Sequence, residues 1–236
     1  MYVLPATPSA FNTRHNHSKG MRVTAKQYQQ RNSSDYIDGA TLVYASAGLG
    51  VVHNLAENTQ LYFDDHKDDI TCIAVSVDGT LAATGCMGKD AVVHVWTTDI
   101  SLRNAKSSIA TLGKGFFKRG VCAVEFSYDN VYLVCVACDD QHMMGIFHIA
   151  TGAKLLEQTT QNGIPPMIKF VNYCPAPQYT EYISREHAGQ CDVFATAGDH
   201  HIRVWSFRRP AVDGDTTVGN SSLTYKGLTI GKVRTE

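Results

Sequence analysis

From Ala40 onward, apolar and polar residues alternate in short runs broken by turn residues, and no 3.6-residue period persists beyond a turn or two. Alternation with a period of two puts successive side chains on opposite faces of a strand, so the pattern predicts an all-β chain. The runs also repeat. "ITCIAVSVDGTLAATGCMGKDAVVHVW" (Ile70 to Trp96) aligns without a gap on "VCAVEFSYDNVYLVCVACDDQHMMGIF" (Val121 to Phe147). In each copy a strand leads through a Ser-x-Asp-Gly or Ser-x-Asp-Asn turn (Ser76, Asp78, Gly79; Ser127, Asp129, Asn130) into a second strand, then an acidic turn and a third strand. Asp-Gly and Asp-Asn supply the positive φ that tight hairpins require.

A third copy reads "MIKFVNYCP" and then "CDVFATAGDHHIRVW", with an insertion from about Ala176 to Gln190 between its first two strands. "SSIATLG", "AKLLEQTT" and "SSLTYKG" supply a fourth strand to the three copies, and "TLVYASAG", "GVVHNL" and "TQLYF" form a partial unit ahead of them. Four-stranded units repeated along a chain are the pattern of a β-propeller. The expected architecture is therefore about four blades, at residues 40–65, 66–113, 114–160 and 161–236, preceded by an extended arm at 1–39. Asp90 with Trp96, and Asp199 with Trp205, mark the turn and third strand of a blade; Phe147 stands where the middle copy would carry the indole.

Composition narrows the function. With 44% hydrophobic and 18% charged residues the chain has an ordinary globular balance, and no apolar run is long enough to span a membrane or open a secretory signal. The seven cysteines are scattered through strand-like runs, which suits reduced core thiols better than a disulfide framework. The Cys135-x-x-Cys138 pair has no second pair at zinc spacing, and His200 and His201 are adjacent on a strand and so point to opposite faces; no metal is expected. "AGLGVV" (Ala47 to Val52) lacks the spacing and following helix of a nucleotide loop, and no nucleophile elbow is present, so neither cofactor nor catalysis is expected. Charge is uneven: residues 1–34 contain Arg14, Lys19, Arg22, Lys26 and Arg31 and no acid. This basic arm suits an acidic surface; it lacks the arginine clusters and stacking platform of a nucleic-acid binder.

His66, Thr84, Asp90 and Trp96 resemble the hydrogen-bonded tetrad of WD-repeat blades, in which the histidine bridges the turn aspartate and the strand hydroxyl, and the hydroxyl reaches the indole. A longer resemblance runs from roughly Gln27 to Val233. "TQLYFDDHKDDITCIAVSVDGTLAATG", "LGKGFFKRGVCAVEFS", "CDDQHMMGIF", "GDHHIRVWSF" and "NSSLTYKGLTIGK" are similar, in order and spacing, to the first propeller of the echinoderm microtubule-associated protein-like family. In that family a hydrophobic motif precedes the first blades, a place occupied here by "YQQRNSSDYIDGATLVYASAGLGVV", and two joined propellers contact tubulin. The family's N-terminal coiled coil has no counterpart in residues 1–35, and the resemblance stops after about four blades. It implies a non-enzymatic scaffold on tubulin, or on neighbouring filament proteins, in the cytoplasmic cytoskeleton or a ciliary or flagellar axoneme. The arm would supply the contacts and another chain would complete the propeller. The alternative is a general WD-repeat adaptor in a soluble complex.

Overall fold

A computed structural model describes residues 34–101, 108–160, 168–174, 191–198, 201–213, 216–218 and 221–227, and every regular element among them is a strand. Sixteen of the eighteen strands form four antiparallel sheets of four. The first contains β1 (Ser34–Tyr36), β2 (Thr41–Ser46), β3 (Leu49–Asn54) and β4 (Thr59–Phe63); the second, β5 (Ile70–Val75), β6 (Leu81–Cys86), β7 (Ala91–Thr97) and β8 (Ala110–Phe117). The third is β9 (Val121–Phe126), β10 (Tyr132–Ala137), β11 (Met143–His148) and β12 (Lys154–Thr159). The fourth is β13 (Ile168–Cys174), β14 (Cys191–Gly198), β15 (His201–Arg208) and β18 (Ser222–Gly227), with a small hairpin of β16 (Ala211–Asp213) and β17 (Thr216–Val218) inserted before its last strand.

The turns follow the predicted chemistry. Gly79 and Asn130 have φ of 72° and 59°. Ser76 Oγ donates to Asp78 Oδ1 at 2.6 Å and accepts from the Leu81 amide at 2.9 Å, and Ser127 repeats both bonds with Asp129 and Tyr132 at 2.8 Å each. The side chains thus hold each turn closed while the strands on either side pair.

Because side chains alternate, each sheet has two faces to bury, and three apolar clusters bury them between neighbours. Val43, Val52, Leu61 and Phe63 of the first sheet meet Ile73, Ala82 and Trp96 of the second. Val93, Leu112 and Phe117 meet Val124, Leu133 and Phe147. Val134, Val136 and Ile146 meet Phe194, Trp205 and Phe207. β10 has both faces covered and all six of its residues are buried, which is why it reads as an unbroken apolar run. Strand packing joins the first sheet to the second, the second to the third and the third to the fourth, chiefly through β5, β9 and β13; among the described residues no comparable packing joins the fourth to the first. The described blades thus follow one another as an arc of a propeller.

Two boundaries differ from expectation. β1 lies inside the segment assigned to the arm, where a three-residue, exposed, polar strand leaves no hydrophobic signal; it pairs with β2 and completes the first blade. β8 crosses the expected boundary at 113/114. Gly113 reads as a terminator, yet the ladder resumes at Phe117, which pairs with Ala91.

Candidate functional site

The polar centre of the interface between the first and second blades is built on Thr84, at 0% exposure on β6. Its hydroxyl accepts from Trp96 Nε1 at 3.0 Å and lies 2.7 Å from His66 Nε2. Trp96 stacks parallel on Phe63 with ring centroids 5.0 Å apart. The indole fits because Gly50 faces it: a Cβ there would sit 2.6 Å from the Trp96 ring. His94 packs edge-on against His66 at 4.7 Å and bonds Thr111 Oγ1 at 3.1 Å. Burial and the neighbouring His94 push the His66 imidazole down to about 3, so it is neutral. A neutral, half-buried histidine serves here as a hydrogen-bond partner of Thr84 rather than as a charge.

Asp90 is not part of this network. It is exposed in the turn after β6, and His66 Nδ1 is buried with no hydrogen-bond partner among the described residues. The turn is held instead by backbone. Gly88 donates to Arg119 O at 3.0 Å, Met87 donates to Asp69 O at 2.9 Å, and Met87 bridges Gly120 of the next blade. The carboxylate therefore has no structural task to perform. In the fourth blade Trp205 donates to Thr196 Oγ1 at 2.9 Å, repeating the indole–hydroxyl bond. In the third, Phe147 fills the same register position by packing on Phe117 and Phe116. Asp199, the 176–190 insertion, and Arg14, Lys19, Arg22, Lys26 and Arg31 lie outside the described residues.

A second contact, which gave no local signal in the sequence, joins the third and fourth blades. Arg209 donates in a fork to Asp192, at 2.9 and 3.0 Å, and also to Asp129 in the Ser127 turn, while its guanidinium lies 5.0 Å from the Tyr132 ring centre. The corresponding turn of the second blade is tied to the third by Asn130 Nδ2 donating to Asp78 Oδ2 at 2.9 Å. Side chains at one end of the arc thus fasten blade to blade.

Among the described residues, no such inter-blade contact is made by the outer face of the first blade. Register places Tyr44, Val51 and Tyr62 in one row and Leu42, His53 and Gln60 in the next. His53 stands where Trp96 stands in the second blade and Tyr44 where Thr84 stands, as judged from the matching ends of the β2–β3 and β6–β7 ladders. This face therefore lacks the threonine–tryptophan pair that joins a blade to its predecessor. It is aromatic with a polar overlay: Tyr36, Tyr62 and Leu49 are 62%, 48% and 39% exposed, and Gln60 bonds the hydroxyls of Tyr44 and Tyr62. Exposed aromatic area on a rigid sheet is the mark of an interaction surface.

Among the described residues there is no cluster of metal-ligating side chains, and no helix is long and apolar enough to cross a membrane. Cys135 is buried and Cys138 half-buried, both as free thiols.

Residues 58–97, from the end of the first blade through β7, match the model of the WD domain, G-beta repeat. The chain is 29% identical over 174 residues to Echinoderm microtubule-associated protein-like 2 of Rattus norvegicus, an alignment covering 70% of this chain and 24% of that protein. It is 29% identical over 185 residues to Echinoderm microtubule-associated protein-like 3 of Homo sapiens, covering 74% and 18%. It is 32% identical over 173 residues to the 77 kDa echinoderm microtubule-associated protein of Lytechinus variegatus, covering 70% and 23%. The match thus spans about a quarter or less of the length of these curated relatives.

Proposed function

Starting from a WD-repeat chain of the echinoderm microtubule-associated protein-like family, we propose that this protein is a non-catalytic scaffold that binds microtubules through rigid blades and a basic arm. The observation that carries this reading is the likeness to relatives named for microtubule association, found in a chain whose described blades form an arc with an aromatic end face. The arc supplies shape. The five cations of residues 1–34, with no acid among them, supply attraction to the acidic surface of tubulin. A stable lattice such as a ciliary or flagellar doublet suits such a protein, because many weak contacts repeated along a filament add up to lasting attachment. Blades from another chain, or from further sequence, would cover the Tyr36, Tyr44 and Tyr62 face and complete the propeller.

Co-pelleting with taxol-stabilised microtubules at low and high salt, with the full chain and with residues 1–34 removed, tests the proposal. The full chain should pellet saturably at low salt and less at high salt, and the truncated chain should pellet less at both. A chain that stays in the supernatant at low salt contradicts the microtubule reading and favours a soluble adaptor. Equal pelleting of both forms would remove the arm as an anchor while leaving the blades.

A further inference from the structure

On the outer flank of the arc, where the second and third blades meet, the surface opens into a groove of about 790 Å³ that is lined by β8 from Thr111 and by Lys118 and Arg119 just after it. One wall is an irregular piece of backbone. β7 advances from Ala91 to Val93 while β8 runs from Phe117 back to Leu112, so residues 113–116 stand outside the ladder. Gly113 and Gly115 have φ of 71° and 76°, and Lys114 between them does not share that hand. A Cβ on Gly113 would strike the Phe117 ring, whereas one on Gly115 would meet nothing within 4 Å, so the second glycine answers to its φ and faces open space.

The floor is aromatic. Phe116 lies edge-on to Phe117 and Phe147, with centroids 5.0 and 5.6 Å away, and the Lys154 ammonium is 4.9 Å from its centre. Around it stand four cations and three carboxylates. The carboxylates are engaged: Asp140 pairs with Arg119 at 2.6 Å, Glu157 pairs with Lys154, and Asp139 Oδ1 accepts from the Gln141 and Met143 amides at 3.2 and 3.0 Å. Lys114 and Lys118 are exposed and have no ion pair or hydrogen bond among the described residues. The two ion pairs lie at the surface, where such pairs contribute little, so Arg119 and Lys154 can exchange partners readily.

We infer that this groove is a docking site for a short acidic peptide of a partner protein, which seats an apolar side chain on Phe116 and brings its carboxylates to Lys114 and Lys118. The groove follows the length of a strand, which fits an extended segment better than a single small anion. The interspersed Asp139, Asp140 and Glu157 would repel the dense, regular charge of a polyphosphate or nucleic-acid backbone, whereas a peptide spaces its carboxylates between apolar residues. The inference is independent of the microtubule reading, since it rests on residues of the second and third blades alone.

The test is fluorescence anisotropy of a labelled peptide of alternating glutamate and phenylalanine added to the full chain, with a lysine-for-glutamate peptide and a single-stranded oligonucleotide as competing probes. The acidic peptide should bind saturably, and more weakly as salt rises. Lys114→Glu with Lys118→Glu should weaken it by about tenfold or more at an unchanged thermal midpoint. Lys67→Glu with Lys89→Glu changes net charge equally on exposed positions outside the groove and should alter affinity by less than about twofold. Phe116→Leu keeps an apolar side chain while removing the aromatic ring, and should weaken binding several-fold. No saturable binding by the parent chain, equal loss in both lysine pairs, or tighter Lys114- and Lys118-dependent binding of the oligonucleotide would each overturn the inference. A change in self-association without a change in peptide affinity would also overturn it, leaving the bulge as protection of an outer strand edge.

Discussion

Replacing Thr84 by Val removes one oxygen and almost no volume, so the change isolates the polar centre between the first two blades. The hydroxyl is wholly buried and serves two groups, the Trp96 indole N–H at 3.0 Å and His66 Nε2 at 2.7 Å. Trp96 is itself 1% exposed, so its N–H has no water to turn to. Each stranded group costs about 1–3 kcal/mol, and the valine methyl returns somewhat under about 1 kcal/mol of apolar burial. The net expectation is a loss of about 1–5 kcal/mol. With an m-value near 2 kcal/mol per molar urea, the unfolding midpoint should fall by about 0.5–2.5 M. Urea titrations followed by tryptophan fluorescence and circular dichroism read this directly. A midpoint within about 0.25 M of the parent's would show that the hydroxyl is dispensable and that the tetrad-like centre is not what joins these blades.

Trp96→Ala should cost about 3–5 kcal/mol through the cavity left against Phe63, whereas Asp90→Ala, at an exposed turn, should stay within about 0.5 kcal/mol; equal losses in the same urea assay would return Asp90 to the network. Arg209→Met should cost about 1–3 kcal/mol and raise amide exchange in β14 and β15 before β9 and β10, because it severs the fork to Asp192 and Asp129; uniform exchange across both sheets would refute an inter-blade role. His66 titrates near 3 when folded and 6.5 when free, so its stability contribution is complete above pH 6.5 and is lost as pH falls toward 3, with His94 shifted the same way by burial. Glu125 is raised by burial, and by Asp35, from 4.5 to about 8, so its contribution is complete below pH 4.5 and is lost as pH rises toward 8. The opposed slopes, each up to roughly 1.4 kcal/mol per pH unit, leave a maximum between about 4.5 and 6.5, and Glu125→Gln should abolish the decline from 6.5 to 8; an unchanged decline would place its origin elsewhere.

The parts of the fold legible in the sequence are those fixed by neighbours along the chain. Ser76-x-Asp78-Gly79 and Ser127-x-Asp129-Asn130 close their turns with bonds two to five residues long, and the same letters give the same geometry twice. Trp96 and Trp205 mark buried third strands for the same reason: a large indole at the end of an alternating run has to be covered. What escaped were elements decided across the fold. β1 is too short and too polar to carry a pattern, the bulge in β8 hides a continuing strand behind two glycines, and the bond from Arg209 to Asp129 spans 80 residues. Asp90 misled because a motif letter names a residue type, while the turn it sits in was already held by backbone bonds to the next blade.

If the described blades are an open arc, the outer face of the first blade is left for another set of blades to cover. Static light scattering of the purified 236-residue chain, read together with binding of a hydrophobic dye and repeated after coexpression with a chain carrying the complementary blades, tests it most directly. The open arc predicts self-association and strong dye binding for the chain alone, both relieved by the complementary chain. A compact monomer that unfolds cooperatively and binds no dye would mean that the first and fourth blades meet in a small closed ring.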